Sequence, residues 1–88
     1  MSLLPSPQTR LNQHSLILLE LWFKELGAEK NNQNPCLWTL LTPKWSAEIL
    51  MEQDQLRVTW DQDENKTQCC FSYGLSRMDV EAAIKQGP

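Results

Sequence analysis

Between Cys36 and Tyr73 the apolar residues fall on every second position in four consecutive runs. That period of two restricts the stretch to β-strands with one buried face. Cys36, Trp38 and Leu40 make the first run, and Trp45, Ala47, Ile49 and Met51 the second. Leu56, Val58 and Trp60 make the third, and Thr67, Cys69, Phe71 and Tyr73 the fourth. The gaps between runs test the assignment. A turn at Pro43–Lys44 sets Leu40 against Ala47 and Trp38 against Ile49. A turn over residues 52–55 sets Met51 against Leu56, and Ile49 against Val58. A turn over residues 61–66 sets Trp60 against Thr67, and Val58 against Cys69. Every pairing keeps these runs on a single face, whereas a slip of one residue would turn a whole strand over. Agreement among the turns predicts a four-stranded antiparallel meander.

Helical spacing flanks the meander on both sides. In LILLELWFKEL, Leu16, Leu19, Phe23 and Leu26 share one stripe with Trp22 beside them, while Ile17, Leu18 and Leu21 lie off it. Ser15 is placed to cap the start of this helix and Gly27 to end it. The stretch AEKNNQNP, residues 28–35, reads as a polar loop. After the meander, SRMDVEAAIKQ predicts a second helix capped by Ser76 with help from Asp79, burying Val80, Ala83 and Ile84 and stopped by Gly87-Pro88. Residues 1–13 contain two prolines and show no period, which predicts a mobile N-terminal arm. The expected fold is α+β: a two-layer α-β-β-β-β-α domain over residues 14–88, with both helices on one face of the sheet.

A chain of 88 residues buries one thin core between two layers. Four tryptophans supply large apolar area for it. Residues 1–44 carry four basic and three acidic side chains, and residues 45–88 four basic and eight acidic ones, giving a net charge of −3. Neither half has a basic stripe, so nucleic acid and anionic lipid are disfavoured partners. The three cysteines, Cys36, Cys69 and Cys70, are odd in number and lack the CxxC spacing of a zinc site. They are expected to be free, mostly buried thiols in a reducing compartment. The opening MSLLPSPQTR lacks the charged and apolar regions of a signal peptide. The longest apolar run, LILLELWF, is interrupted by Glu20 and is far too short to span a bilayer. Together these features predict a soluble, cytoplasmic protein, with nothing calling for more than a monomer.

Catalytic and ligand-binding patterns are sparse. His14 is the single histidine and has no companion ligand near it in sequence, which assigns it a place at the surface or at the start of the first helix. Asp61, Asp63 and Glu64 lack the glycine and distal glutamate of a calcium loop and read as a solvated turn. There is no glycine-rich phosphate loop, HExxH or GxSxG. No cofactor is expected. Two features point instead to partner binding. The parity that buries Trp38, Ile49 and Val58 turns Leu37, Leu41, Leu50, Arg57 and Cys70 to the other face, where an apolar patch rimmed by Glu48 and Arg57 suits an interface. Arg77 sits at the first position of the second helix, against the positive end of its dipole. A residue that breaks a local rule points to function, with an ion pair to Asp79, Glu81 or another acid as the competing explanation.

The run LELWFKELG, then CLWTLLTPKWSAEI, LRVTW and the ending FSYGLSRMDVEAAIKQGP resemble a family of small proteins of unknown function found in cyanobacteria and, as a domain, in plants. The resemblance covers about residues 11–88. It implies an oxygenic phototroph, cytoplasmic residence and no established activity, and it places Arg77 in the family's most distinctive segment.

These readings predict a non-enzymatic interaction or assembly module with Leu37, Leu41, Leu50, Arg57 and Arg77 as its contact residues and a protein as its partner. The alternative is an RNA-binding module on the plan of double-stranded-RNA-binding domains, which place an antiparallel sheet under two helices. Against it stand the extra strand and the segment GLSRMDVE, which has one arginine and two acids where such domains contact phosphate. A small enzyme using Cys69 or Cys70 as nucleophile is a third reading; it would depend on His14 as its activating base.

Overall fold

A computed structural model of the chain describes residues 4–88. The meander forms as its parity requires: β2 (Leu37–Leu41), β3 (Ser46–Met51), β4 (Gln55–Gln62) and β5 (Asn65–Ser72) pair in sequence order, all antiparallel. Leu40 faces Ala47, Ile49 faces Val58 and Leu56 faces Phe71, as the alternation demands. A further strand, β1 (Glu29–Lys30), lies beyond β2 in the stretch expected to be loop, so the sheet has five strands rather than four. Two polar residues cannot display a period, which is why sequence pattern misses them. The last turn also differs. Pairing continues to Gln62↔Asn65, leaving only Asp63 and Glu64 to turn the chain, both with positive φ (51° and 70°). Those angles are the signature of the tight hairpin turn whose twist matches the strands.

Helix α1 (Leu16–Leu26) starts where Ser15 Oγ accepts from the Leu18 N–H at 3.2 Å, and ends at Gly27 in the left-handed region (φ 96°). Helix α2 (Arg77–Gln86) starts where Ser76 Oγ accepts from the Asp79 N–H at 3.2 Å. The core lies between these helices and the inner face of the sheet. Trp22, Phe23, Val80 and Ile84 come from the helices, and Trp38, Leu40, Ala47, Ile49, Leu56, Val58, Trp60 and Phe71 from the strands. Two tryptophans also donate between elements. Trp22 Nε1 donates to Glu81 Oε1 at 2.8 Å, tying α1 to α2, and Trp60 Nε1 donates to the Ile84 carbonyl at 3.3 Å, tying the sheet to α2. Burial with the N–H satisfied lets an indole contribute its area without the cost of an orphaned donor.

The N-terminal segment departs most from expectation. Residues 1–3 of the expected mobile arm lie outside the described residues. The remainder is docked on the domain. Leu11–Gln13 forms a 3-10 turn, and Leu11 is 1% exposed within the core. The Leu11 N–H donates to the Leu75 carbonyl at 3.0 Å and the Asn12 N–H to the Tyr73 carbonyl at 2.8 Å. In return, the Arg77 N–H donates to the Thr9 carbonyl at 2.9 Å and the Met78 N–H to the Pro7 carbonyl at 2.8 Å. This strap therefore satisfies two of the N–H groups that every helix start leaves open. Leu16, expected on the buried stripe, is 61% exposed, so the stripe begins one turn later at Leu19.

Candidate interaction surface

The register lays out the sheet as rows running across the strands. On the inner face Trp38, Ile49 and Val58 are buried, but the row ends at an exposed Cys69. The next row, Leu40, Ala47 and Trp60, ends at an exposed Thr67. The helices thus leave much of the β5 margin open. Cys36 and Cys70 are exposed as well, so the expectation of mostly buried thiols is corrected; none of the three is in a disulfide. Alternation assigns a face, and it does not tell how far the covering layer reaches.

No helix covers the outer face. Its rows are Leu37–Leu50–Arg57–Cys70, then Thr39–Glu48–Thr59–Gln68, then Leu41–Ser46–Asp61–Lys66. Leu37, Leu50 and Arg57 are therefore brought together as predicted, and all are half-buried by their neighbours. Leu41, at 73% exposed, is separated from Leu37 and Leu50 by the polar middle row. Glu48, in the adjoining polar row, borders Leu37 and Leu50 on one side as expected. The rim also takes in Glu52: Arg57 Nε lies 2.9 Å from Glu52 Oε1, and Gln55 Nε2 donates to the same oxygen at 3.3 Å. Glu52 extends the even-numbered parity of β3 by one step, a signal that was present in the sequence. The pair is partly solvated and contributes at most about 1 kcal/mol to stability. Its more telling effect is to hold a fixed charge pattern beside two leucines.

Arg77 is not on this surface, and its assignment as a contact residue is corrected. Its side chain is buried, with the residue 8% exposed, and its Nη2 donates to the Pro5 carbonyl at 2.9 Å. No acidic side chain pairs with it among the described residues. The cation is retained at the positive end of α2 because it holds the strap. His14 stands just before α1, at the helix entry that was one of its two expected places, and is buried there at the foot of the strap. Its Nδ1 lies 2.9 Å from the Arg10 carbonyl, which only accepts, so Nδ1 carries the proton. Tyr73, whose carbonyl accepts from the Asn12 N–H of the strap, donates its hydroxyl to the Glu52 carbonyl at 2.6 Å. Burial, aided by Glu52 and Cys36 nearby, pushes the Tyr73 phenol above its ordinary value of 10.0.

Residues 26–87 match the family described as "Protein of unknown function (DUF3143)". The chain belongs to this family. No curated protein and no solved structure matches it. The DUF3143 match takes in the whole sheet and α2 but leaves out the strap and nearly all of α1, so it is narrower than the resemblance over residues 11–88. Leu37, Leu41, Leu50, Arg57 and Glu52 all fall inside the DUF3143 segment. Arg77 does too, whereas Pro5, Thr9 and Leu11, which it and its helix engage, do not. Among the described residues no helix is long and apolar enough to cross a membrane.

Proposed function

We propose that this chain is a non-enzymatic interaction or assembly module that receives a protein partner on the open face of its sheet. One observation carries the reading. The register sets Leu37 beside Leu50 and Arg57 on the uncovered face, with Arg57 held by Glu52 at 2.9 Å. Small apolar patches edged by fixed charges suit protein partners, because the leucines supply desolvation and the ion pair supplies orientation. The resemblance to cyanobacterial and plant proteins supports a setting in an oxygenic phototroph and in the cytoplasm.

The alternative, a duplex-RNA-binding module, shares the layering of helices over an antiparallel sheet. It is disfavoured by the net charge of −3 and by the start of α2, where the Arg77 and Met78 N–H groups already serve Thr9 and Pro7. The test is recovery of partners by the tagged wild-type chain under native conditions, set beside Leu50→Glu and Arg57→Glu. A Lys24→Glu control on the helical side should behave as wild type. Loss of the same partners from both sheet-face variants, with folding retained by circular dichroism, is the expected result. Recovery of every partner by both variants would overturn the assignment of the face. Salt-sensitive binding of duplex RNA by the wild type would promote the alternative.

A further inference from the structure

The N-terminal strap lies on the domain as an added strand. Arg10 bridges Ser76 in the antiparallel sense, and four backbone hydrogen bonds flank that bridge. The seat gives two donors, the Arg77 and Met78 N–H groups, which reach the Thr9 and Pro7 carbonyls. It gives two acceptors, the Leu75 and Tyr73 carbonyls, which take the Leu11 and Asn12 N–H groups. All four engage main chain alone, so they would hold any extended segment that runs in the same direction. Selection by side chain falls on Leu11, 1% exposed, and on Leu4, which packs partly against the core. Ser6, Pro7, Gln8 and Arg10 are exposed.

Arg77 closes the far end of the seat, and the strap fits it incompletely. Its Nε and Nη2 lie on one edge of the planar guanidinium, as parallel donors spaced for the two oxygens of a carboxylate. Nη2 donates to the Pro5 carbonyl at 2.9 Å, while Nε is buried with no acceptor among the described residues. A single carbonyl oxygen therefore fills half of a two-donor fork. The residue is 8% exposed, so water offers the other half little relief. The cation also stands at the positive end of α2 with no acidic partner among the described residues. Residues 4–14 contain no Asp or Glu, so the strap has no carboxylate to give. Residues 73–78, which form the seat, fall within the DUF3143 segment, and the strap does not.

We propose that this seat is a peptide-binding groove whose ligand is an extended acidic segment of a partner protein, and that the strap is a self-ligand holding the groove shut until it is displaced. The ligand carries a carboxylate where the Pro5 carbonyl now sits, and an aliphatic side chain six residues later, as Leu11 follows Pro5. Its main chain repeats the four bonds of the strap. Its carboxylate takes both Nε and Nη2, a charge-assisted bidentate contact that the strap lacks. That contact favours exchange against a tethered competitor. A second copy of this chain is not the occupant, because its strap is equally without an acid. With the strap seated Arg77 touches no partner, and it becomes a contact only in the exchanged state. The groove is a site apart from the open sheet face and stands whether or not that face binds.

Fluorescence anisotropy of labelled peptides titrated with the purified full chain tests the exchange. One peptide has the sequence of residues 4–14. Two others carry Pro5→Glu or Ser6→Glu, which offer a carboxylate from either side of the Pro5 carbonyl. The better acidic peptide should bind about tenfold more tightly than the parent. Arg77→Gln and Arg77→Lys should each remove that preference, since neither presents the fork, and circular dichroism reports whether each is folded. Two further chains leave Arg77 in place. Asn12→Pro deletes the N–H that the Tyr73 carbonyl accepts, loosens the tethered strap and should tighten every peptide. The better acid placed in the strap of the full chain should weaken every peptide. Peptides that bind alike with and without the acid, or that bind neither the wild type nor Asn12→Pro, overturn the proposal. So does an acid preference that survives in folded Arg77→Lys, or binding that is indifferent to Asn12→Pro.

Discussion

Truncating Leu11 separates a strap that belongs to the core from an arm that merely trails beside it. Leu11 is 1% exposed and packs with the buried cluster, although it sits in a 3-10 turn of three residues before the first helix. Cutting a fully buried leucine to alanine costs roughly 2–5 kcal/mol, from lost transfer energy and the cavity left behind. A chain of this length has a total stability of about 4–13 kcal/mol at the usual per-residue values. Leu11→Ala should therefore remove a large fraction of it and lower Tm by about 8 °C or more. Leu16, the first residue of α1, is 61% exposed, and Leu16→Ala should change stability by no more than about 0.5 kcal/mol. Urea denaturation of both variants beside the wild type, followed by tryptophan fluorescence, gives the two differences directly. Sequence periodicity alone ranks them the other way, with Leu16 in the core and Leu11 in the arm. Equal costs, or a larger cost at Leu16, would refute the docking of the strap.

Four other outcomes follow from the geometry. Gly87→Ala should cost about 1–3 kcal/mol in the same urea titration, because φ is +84° and the new Cβ would lie 2.6 Å from Trp45 Nε1; a change below about 0.5 kcal/mol would show that α2 does not close on Trp45. Glu64→Gly should stabilise by about 0.5–1 kcal/mol, the relief of left-handed strain less the entropy of glycine, and any loss of Tm would contradict the positive φ at that turn. Because Tyr73 titrates higher when folded than when unfolded, its contribution is fully present below pH 10.0 and is lost as pH rises through the folded value; Tyr73→Phe should flatten that alkaline decline, and an unchanged slope would remove Tyr73 as its source. All three thiols should react rapidly with dithionitrobenzoate in the native protein, as exposed groups do, and a slow phase that appears only on unfolding would contradict their exposure.

The register of the meander was legible because parity is a global constraint. One slip anywhere would have faced Trp38, Ile49 or Trp60 to water, and each turn length checked its neighbours. Both helix starts were legible because Ser15 and Ser76 act locally. What escaped had no period to display. Strand β1 is two polar residues, and the strap is held by partners more than sixty positions away, such as Leu75 for Leu11 and Arg77 for Thr9. The outer-face pairing of Leu37, Leu50 and Arg57 came directly from alternation. Leu41 followed the same parity, but the intervening polar row, visible only once strands are laid side by side, sets it apart. Arg77 was rightly marked as a breach of the helix-dipole rule. The reason for the breach lay in Pro5, in a segment whose sequence offers no pattern to read.

The strap also sets an order of events during synthesis. Pro7, Thr9 and Leu11 are made before Tyr73, Leu75, Arg77 and Met78, which hold them. Chains elongate at about 5–20 residues per second, so the early segment waits seconds for its partners. During that wait the hairpins of β2–β5 can already form, since each needs only neighbours in sequence. Leu11, meanwhile, stays in water. The nascent chain thus passes through a state in which the sheet exists and its last gap is unfilled, and release of the segment around Arg77 is the event that seals it.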